Sequence, residues 1–150
     1  MTYQIEEMPK SRIAYMRRVG SYGVDNYALM KKFKKWAKAN GLFTASAVIL
    51  GISQDNPATT PPENCRYDVG IVITQQLATT DANVNIAELP GGRYAVFTIE
   101  HTAEVIQKAW GAIFVQLSAQ GQQIDVSRPI LERYIPAMID KHLCEICVPV

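Results

Sequence analysis

Glu132 is the residue whose neighbours most invite chemistry. In the run Ile130-Leu131-Glu132-Arg133-Tyr134-Ile135 branched and aromatic residues favour a strand. A strand sends alternate side chains to opposite faces, so Ile130, Glu132 and Tyr134 share one face and Leu131, Arg133 and Ile135 the other. If the first face turns inward, a carboxylate lies among apolar and aromatic groups. Burying an unpaired charge is costly, so that carboxyl must be protonated, paired, or reserved for a cationic ligand. The competing reading is a surface strand residue paired with Arg133 or with a lysine.

Aromatic residues could complete such a site. Aromatic faces attract cations and stack on flat rings, each contact contributing about 0.5–2 kcal/mol according to desolvation. Trp110 and Tyr134 are candidate walls, Tyr22 and Tyr27 could close the opposite side, and Tyr67 could reach in. Trp110 also sits on a helical apolar stripe, where a tryptophan is as well placed for the core, and Trp36 is assigned to the core outright. Arg66 and Asp68 are read as structural, pairing across strands or bracing a loop.

Other chemistries find little support. Cys144 and Cys147 form a C-x-x-C, but no helix start follows to lower a thiol pKa, and the third cysteine leaves an odd number. They read as buried, unreactive thiols. No second cysteine pair stands near them, and His101 and His142 lack metal-ligand spacing, so neither metal nor cofactor is expected. Gly91-Gly92 belongs to a hairpin turn and not to a phosphate-binding loop, and no G-x-S-x-G elbow occurs. If the chain is an enzyme, Glu132 activating water is the available device; nothing in the spacing demands turnover.

Composition sets the class. Of the 150 residues 48% are hydrophobic and 19% charged, with a net charge of +1, which suits a single cytoplasmic domain over residues 1–150. That balance gives no case for direct nucleic-acid binding or for an anionic membrane surface. No apolar run approaches the roughly 20 residues of a membrane span. Lys31, Lys32, Lys34, Lys35 and Lys38 form a run opposite Phe33 and Trp36 and read as a solvated helix face.

The elements that would position Glu132 appear through a repeat. Tyr3-Gln4-Ile5-Glu6-Glu7-Met8-Pro9-Lys10-Ser11-Arg12-Ile13-Ala14 returns as Val84-Asn85-Ile86-Ala87-Glu88-Leu89-Pro90-Gly91-Gly92-Arg93-Tyr94-Ala95. Each copy reads as a strand, a tight turn and a second strand. A helix follows each, with Leu29, Phe33, Trp36 and Ala37 on one stripe and Ile106, Ala109, Trp110, Ile113, Phe114 and Leu117 on the other. Asn40-Gly41 and Gln120-Gly121 are the stop signals. Two more strands complete each copy, at 47–52 with 67–73 and at 130–135 with 143–148. The expectation is an α+β fold, a duplicated ββαββ with repeats at about 1–76 and 82–150 joined through Gln75–Ala82. Two such halves offer a cleft where they meet. No helix-turn-helix precedes or follows the repeat.

With this pattern in view the chain resembles the GyrI-like small-molecule-binding domains. The matching residues are Asp55-Asn56-Pro57, Thr60-Pro61, Cys65-Arg66-Tyr67-Asp68, Pro90-Gly91-Gly92-Arg93-Tyr94-Ala95-Val96 and Ile130-Leu131-Glu132-Arg133-Tyr134. Weaker matches are Val19-Gly20-Ser21-Tyr22 and the run 144–150. The resemblance implies two pseudo-symmetric SHS2-like halves, an antiparallel sheet with two main helices, and a central aromatic pocket holding one buried glutamate. It assigns Glu132 to that glutamate and turns Trp110 toward the cavity. Many members carry Gly-Pro-Tyr before the second helix, where this chain reads His101-Thr102-Ala103. The function implied is that of a free-standing effector-binding domain for a lipophilic, cationic or aromatic compound, related to modules of transcription regulators. Two alternatives come with the family: a DNA gyrase inhibitor, and a hydrolase of cyclopropane-containing toxins. Either a monomer or a homodimer is compatible with the sequence.

Overall fold

A computed structural model describes residues 1–74, 76–77 and 81–150. The elements run β1 Gln4–Met8, β2 Ser11–Val19, α1 Val24–Ala39, β3 Ile49–Ser53, β4 Arg66–Ile73, β5 Asn85–Leu89, β6 Gly92–Glu100, α2 Ala103–Ala119, β7 Ile130–Tyr134, α3 Pro136–Ile139 and β8 Leu143–Pro149. The expected α+β architecture is present. The expected connector includes residues 75 and 78–80, which lie outside the described residues.

The eight strands of the described residues form one sheet in the order β1-β6-β8-β7-β3-β4-β2-β5, and every neighbouring pair is antiparallel. Exchanging β1–β4 with β5–β8 reverses this order and leaves it otherwise unchanged. The halves are thus related by a pseudo-two-fold axis through the central β3–β7 pair. Gln4, Ser11 and Ile49, which open β1, β2 and β3, correspond at one constant spacing to Asn85, Gly92 and Ile130, which open β5, β6 and β7.

The expected hairpins do not form. β1 pairs with β6 and β2 with β5, so each half gives its first strand to the other. Only Pro9 and Lys10 link β1, at one edge of the sheet, to β2 near the other, so the sheet must curl until its edges approach. At the crossing, a Cβ on Gly91 would lie 2.5 Å from Lys10 N and 2.5 Å from Met8 O. The two tight connections therefore pass each other where a pair of hairpin turns was expected, and the space between them admits only glycine at position 91.

Helices α1 and α2 cover one face of the sheet. Phe33, Ala37, Ala109, Ile113 and Leu117 pack there with Met16, Ile49, Val69, Ile71, Phe97 and Ile146. Each helix ends in the same way. Leu42 N donates to Ala37 O and Gln122 N to Leu117 O, with Gly41 and Gly121 at φ 69° and 73°. This left-handed cap satisfies the last carbonyls and is open to glycine at little steric cost. The N-terminus of α2 is closed by the Thr102 side chain, which accepts from Val105 N. A second apolar cluster, including Leu50, Ile52, Tyr94, Val96 and Leu131, fills the other face, inside the curl.

Candidate functional site

The register across β3 and β7 sets Gly51 directly opposite Glu132, and these two residues occupy equivalent positions in the repeat. They sit on the pseudo-two-fold axis, one with a carboxylate and the other with no side chain. The alternation expected along β7 holds. Tyr134 belongs to the helix-covered core and Ile130 packs against it, while Leu131 lies in the opposite cluster.

Tyr134 donates its hydroxyl to Glu132 Oε2 at 2.6 Å. Tyr67, on β4, lies over Gly51. A Cβ at Gly51 would overlap the Tyr67 hydroxyl and stand 3.3 Å from Glu132 Oε1. The bare backbone is thus what lets the tyrosine and the carboxyl share this place. Tyr22 packs edge-on against Tyr67, with ring centroids 6.2 Å apart, and is fixed through its hydroxyl to Asp55 O and Arg66 O. His101 packs edge-on against Tyr134 at 5.5 Å.

Electrostatics follow the packing. Burial raises the Glu132 pKa, while the Tyr134 hydrogen bond acts the other way. Burial, then the Glu132 charge, raises both Tyr67 and Tyr134. The same two causes push Cys144 up to about 12, which keeps that thiol unreactive. His101 is lowered, first by burial and then by Lys34 and His142.

The two fully buried acids are treated differently. Asp68 receives Arg17 Nε at 2.7 Å and Nη2 at 2.9 Å, and Glu145 receives Arg133 Nε at 2.8 Å. Arg133 also reaches Glu6, so it is engaged on the face away from Glu132. Among the described residues Glu132 has a tyrosine hydroxyl as its hydrogen-bond partner and no arginine or lysine in an ion pair. The surface reading, with Arg133 or a lysine as partner, does not describe this carboxyl.

The structure thus bonds Tyr134 to Glu132 and packs Tyr22 on Tyr67, with Tyr67 and Glu132 both beside Gly51. Trp110 stacks on Phe114 of its own helix, centroids 6.3 Å apart, and packs partly buried against the core. Tyr27 is 59% exposed. Lys34 departs from the expected solvated face: it is half-buried, and desolvation lowers its pKa. Gly51 and His101 escaped the sequence reading as site residues. An isolated glycine within the apolar run 47–52 was the available signal, since it marks a close approach in a strand.

Two clefts lie away from these residues. One, of about 520 Å³, borders Lys10, Arg12, Val72 and Glu88. The other, of about 260 Å³, joins both halves on the opposite sheet face, beside Tyr15, Arg17, Gln54 and Asp68. Neither is bordered by Glu132, whose neighbourhood is occupied by the tyrosines that hold it. Arg66 braces the long loop through Asp55 and Asp68 pairs across strands with Arg17, so both have the structural roles expected. All three cysteines are free and buried.

Comparison with known proteins places this geometry. The family described as "GyrI-like small molecule binding domain" matches residues 1–150. The SPbeta prophage-derived YosT of Bacillus subtilis (strain 168), named as a candidate transcriptional regulator, is 48% identical over 100% of this chain and 99% of its own. A DNA gyrase inhibitor of Escherichia coli (strain K12) is 23% identical over 90% of this chain and 86% of its own. Among solved structures, the EcmrR C-terminal domain superposes with a TM-score of 0.73 at 16% identity, covering 99% of this chain and 98% of that one. SAV2435 bound to tetraphenylphosphonium gives 0.62 at 16% identity, covering 100% and 94%. With an eight-stranded pseudo-symmetric sheet and a profile match along its whole length, the chain belongs to the GyrI-like small-molecule-binding domain family.

Proposed function

We propose that the chain is an effector-binding domain whose ligand is a small lipophilic or aromatic cation, held against Glu132 by Tyr134, Tyr67 and Tyr22. The observation that carries this reading is the contrast among the acids of the central strands. Asp68 and Glu145 are buried and paired with arginines, whereas Glu132, half-buried and bonded to Tyr134, has no cation in an ion pair among the described residues. An ionised carboxylate there is expensive until a positive charge arrives, so its presence selects for one. The tetraphenylphosphonium in SAV2435, which shares the fold, is a lipophilic cation and agrees with this assignment. A role in transcription control is supported by the name given to YosT.

The test compares 4-phenylbutylammonium with the neutral 4-phenylbutanol, followed by Trp110 fluorescence and calorimetry. The wild type should prefer the cation by about tenfold or more, the value of one well-desolvated charge contact. Glu132→Gln should abolish that preference while leaving the alcohol unchanged. Retention of the full preference in the variant would overturn the reading.

A second reading, an interaction with DNA gyrase, is supported by the E. coli relative and by the exposure of Lys31, Lys32, Lys35 and Lys38 along α1. A supercoiling assay separates the two. Inhibition that persists in Glu132→Gln and disappears when those four lysines are neutralised would assign the function to the helix surface.

A further inference from the structure

The cleft inside the curl, on the sheet face away from the helices, has a counterpart in the other half of the molecule, and the two places are filled differently. Arg17 stands opposite Asp68 across β2–β4, and Thr98 stands opposite Glu145 across β6–β8, so Asp68 and Glu145 are equivalent. In each half an arginine is clamped on that acid, Arg17 by Nε and Nη2 on Asp68 and Arg133 by Nε on Glu145. Beyond this the halves differ. Arg133 also grips a second carboxylate, with Nη1 3.1 Å from Glu6 Oε1 and Nη2 2.8 Å from Glu6 Oε2. The fully buried Tyr94 stands opposite Glu6 across β1–β6. The constant spacing of the repeat puts Ala87 in the place of Glu6 and Ile13 in the place of Tyr94, and these two oppose each other across β2–β5. One half thus holds a carboxylate and an aromatic ring where the other holds an alanine, an isoleucine and a cleft of about 260 Å³.

The filled place shows what chemistry suits the open one. Arg17 borders the cleft, with Asp68 as its ion-pair partner among the described residues, whereas Arg133 has two acids. Nε and Nη2 are taken by Asp68, so Nη1 is the donor that remains for a second carboxylate. A guanidinium matches the planar geometry of a carboxylate and forms strong, charge-assisted hydrogen bonds with it. Leu89, Pro90 and Pro129 give the cleft apolar walls, and Tyr15, whose ring lies 5.6 Å from the Arg17 guanidinium, adds an aromatic one. Glu88 is also at the rim, but its charge is tied to Lys10. An apolar cavity of about 150 Å³ accepts benzene, so this cleft has room for a ring bearing a short acidic arm. We infer that it is a second binding site, separate from Glu132 and opposite to it in charge selectivity, for a small aromatic carboxylic acid. The carboxylate lies on Arg17, and the ring takes the part that Tyr94 plays in the other half. Ala87 and Ile13 are the residues whose small size keeps the place open.

The probes are phenylacetate and its neutral isostere phenylacetamide, titrated by calorimetry into the full chain at neutral pH. The wild type should bind the acid about tenfold more tightly than the amide, the worth of one charge-assisted hydrogen bond. In amide-resolved NMR the shifts caused by phenylacetate should gather at Tyr15, Arg17, Ala87 and Leu89. Ala87→Glu places in the cleft the acid that β1 already carries at Glu6, and it should abolish binding of phenylacetate. Thermal unfolding verifies that this variant is folded; if it is not, the shift map and the acid-to-amide ratio of the wild type decide the matter. Equal affinities for acid and amide would overturn the assignment to Arg17. Undiminished acid binding by folded Ala87→Glu, or shifts confined to His101 and α2 on the helix-covered face, would overturn the placement in this cleft. Absence of phenylacetate binding at millimolar concentration would overturn the site altogether, and none of these outcomes bears on the reading of Glu132.

Discussion

A carboxyl whose charged form is disfavoured by desolvation works against folding above the ordinary glutamate range, and Glu132 carries that penalty. Its pKa in the folded chain lies above the ordinary glutamate value because burial disfavours the charge. The folded state therefore binds its proton more tightly than the unfolded state. Stability from this group is fully present below the ordinary glutamate range and is lost as pH rises through the higher folded value. Glu132→Gln, which cannot ionise, should raise Tm relative to the wild type at pH 7, and the two curves should converge near pH 4. A gap that stays constant across that range would show that the carboxyl is not desolvated. Gly51→Ala belongs to the same scale. The added methyl meets the Tyr67 hydroxyl and should cost about 1–3 kcal/mol, as overpacking does. Combining it with Tyr67→Phe should recover part of that loss, a coupling that denaturant titration of the double-mutant cycle would detect. Period-two alternation along β7, a local rule, made the face of Glu132 legible, while its assignment to a ligand site came from the family resemblance. Gly51 was not legible as its partner, since opposition across β3 and β7 is set by register between residues far apart in the chain.

Among the elements, the helices and the strand sets were readable, because apolar periodicity and the Asn40-Gly41 and Gln120-Gly121 stops are encoded within a few residues. Strand pairing was not. Met8-Pro9-Lys10-Ser11 and Leu89-Pro90-Gly91-Gly92 have the turn chemistry of hairpins, yet β1 and β2 part company, as do β5 and β6. A tight turn fixes only a change of direction; which edge each strand then finds depends on the other half. The ion pairs on the concave face show how strands are tied once paired. Asp68, 2% exposed, accepts two hydrogen bonds from Arg17 across the β2–β4 ladder and one from Gln54. Asp68→Ala should lower stability by about 2–3 kcal/mol, since it strands a guanidinium that keeps only partial solvent contact. An unchanged unfolding midpoint would show that the pair contributes nothing.

For the whole molecule, the exchange of first strands means that neither half possesses a complete sheet. Fragments 1–77 and 81–150, expressed separately, should each fail to unfold cooperatively, because β1 lacks β6 and β5 lacks β2. Mixed, they should reassemble into one species with the circular dichroism of the intact chain. Cooperative melting of either fragment alone would contradict this dependence. The duplication itself was visible in the sequence, as the Ile, Glu, Pro, Arg and Ala matches of the repeat show. The interlocking of the copies was not, being a property of three-dimensional closure around Gly91 and Pro9-Lys10.

The unlike pair on the axis has a consequence for how such a receptor can arise. Two identical chains meeting about a true dyad must present the same residue twice at their centre, either a pair of mutually repelling carboxylates or none. Joining the copies in one polypeptide frees each to mutate alone, so glycine and glutamate can face one another at positions 51 and 132. Fusion thereby permits a centre with a single acid on its axis, which no symmetric pair of identical chains can present.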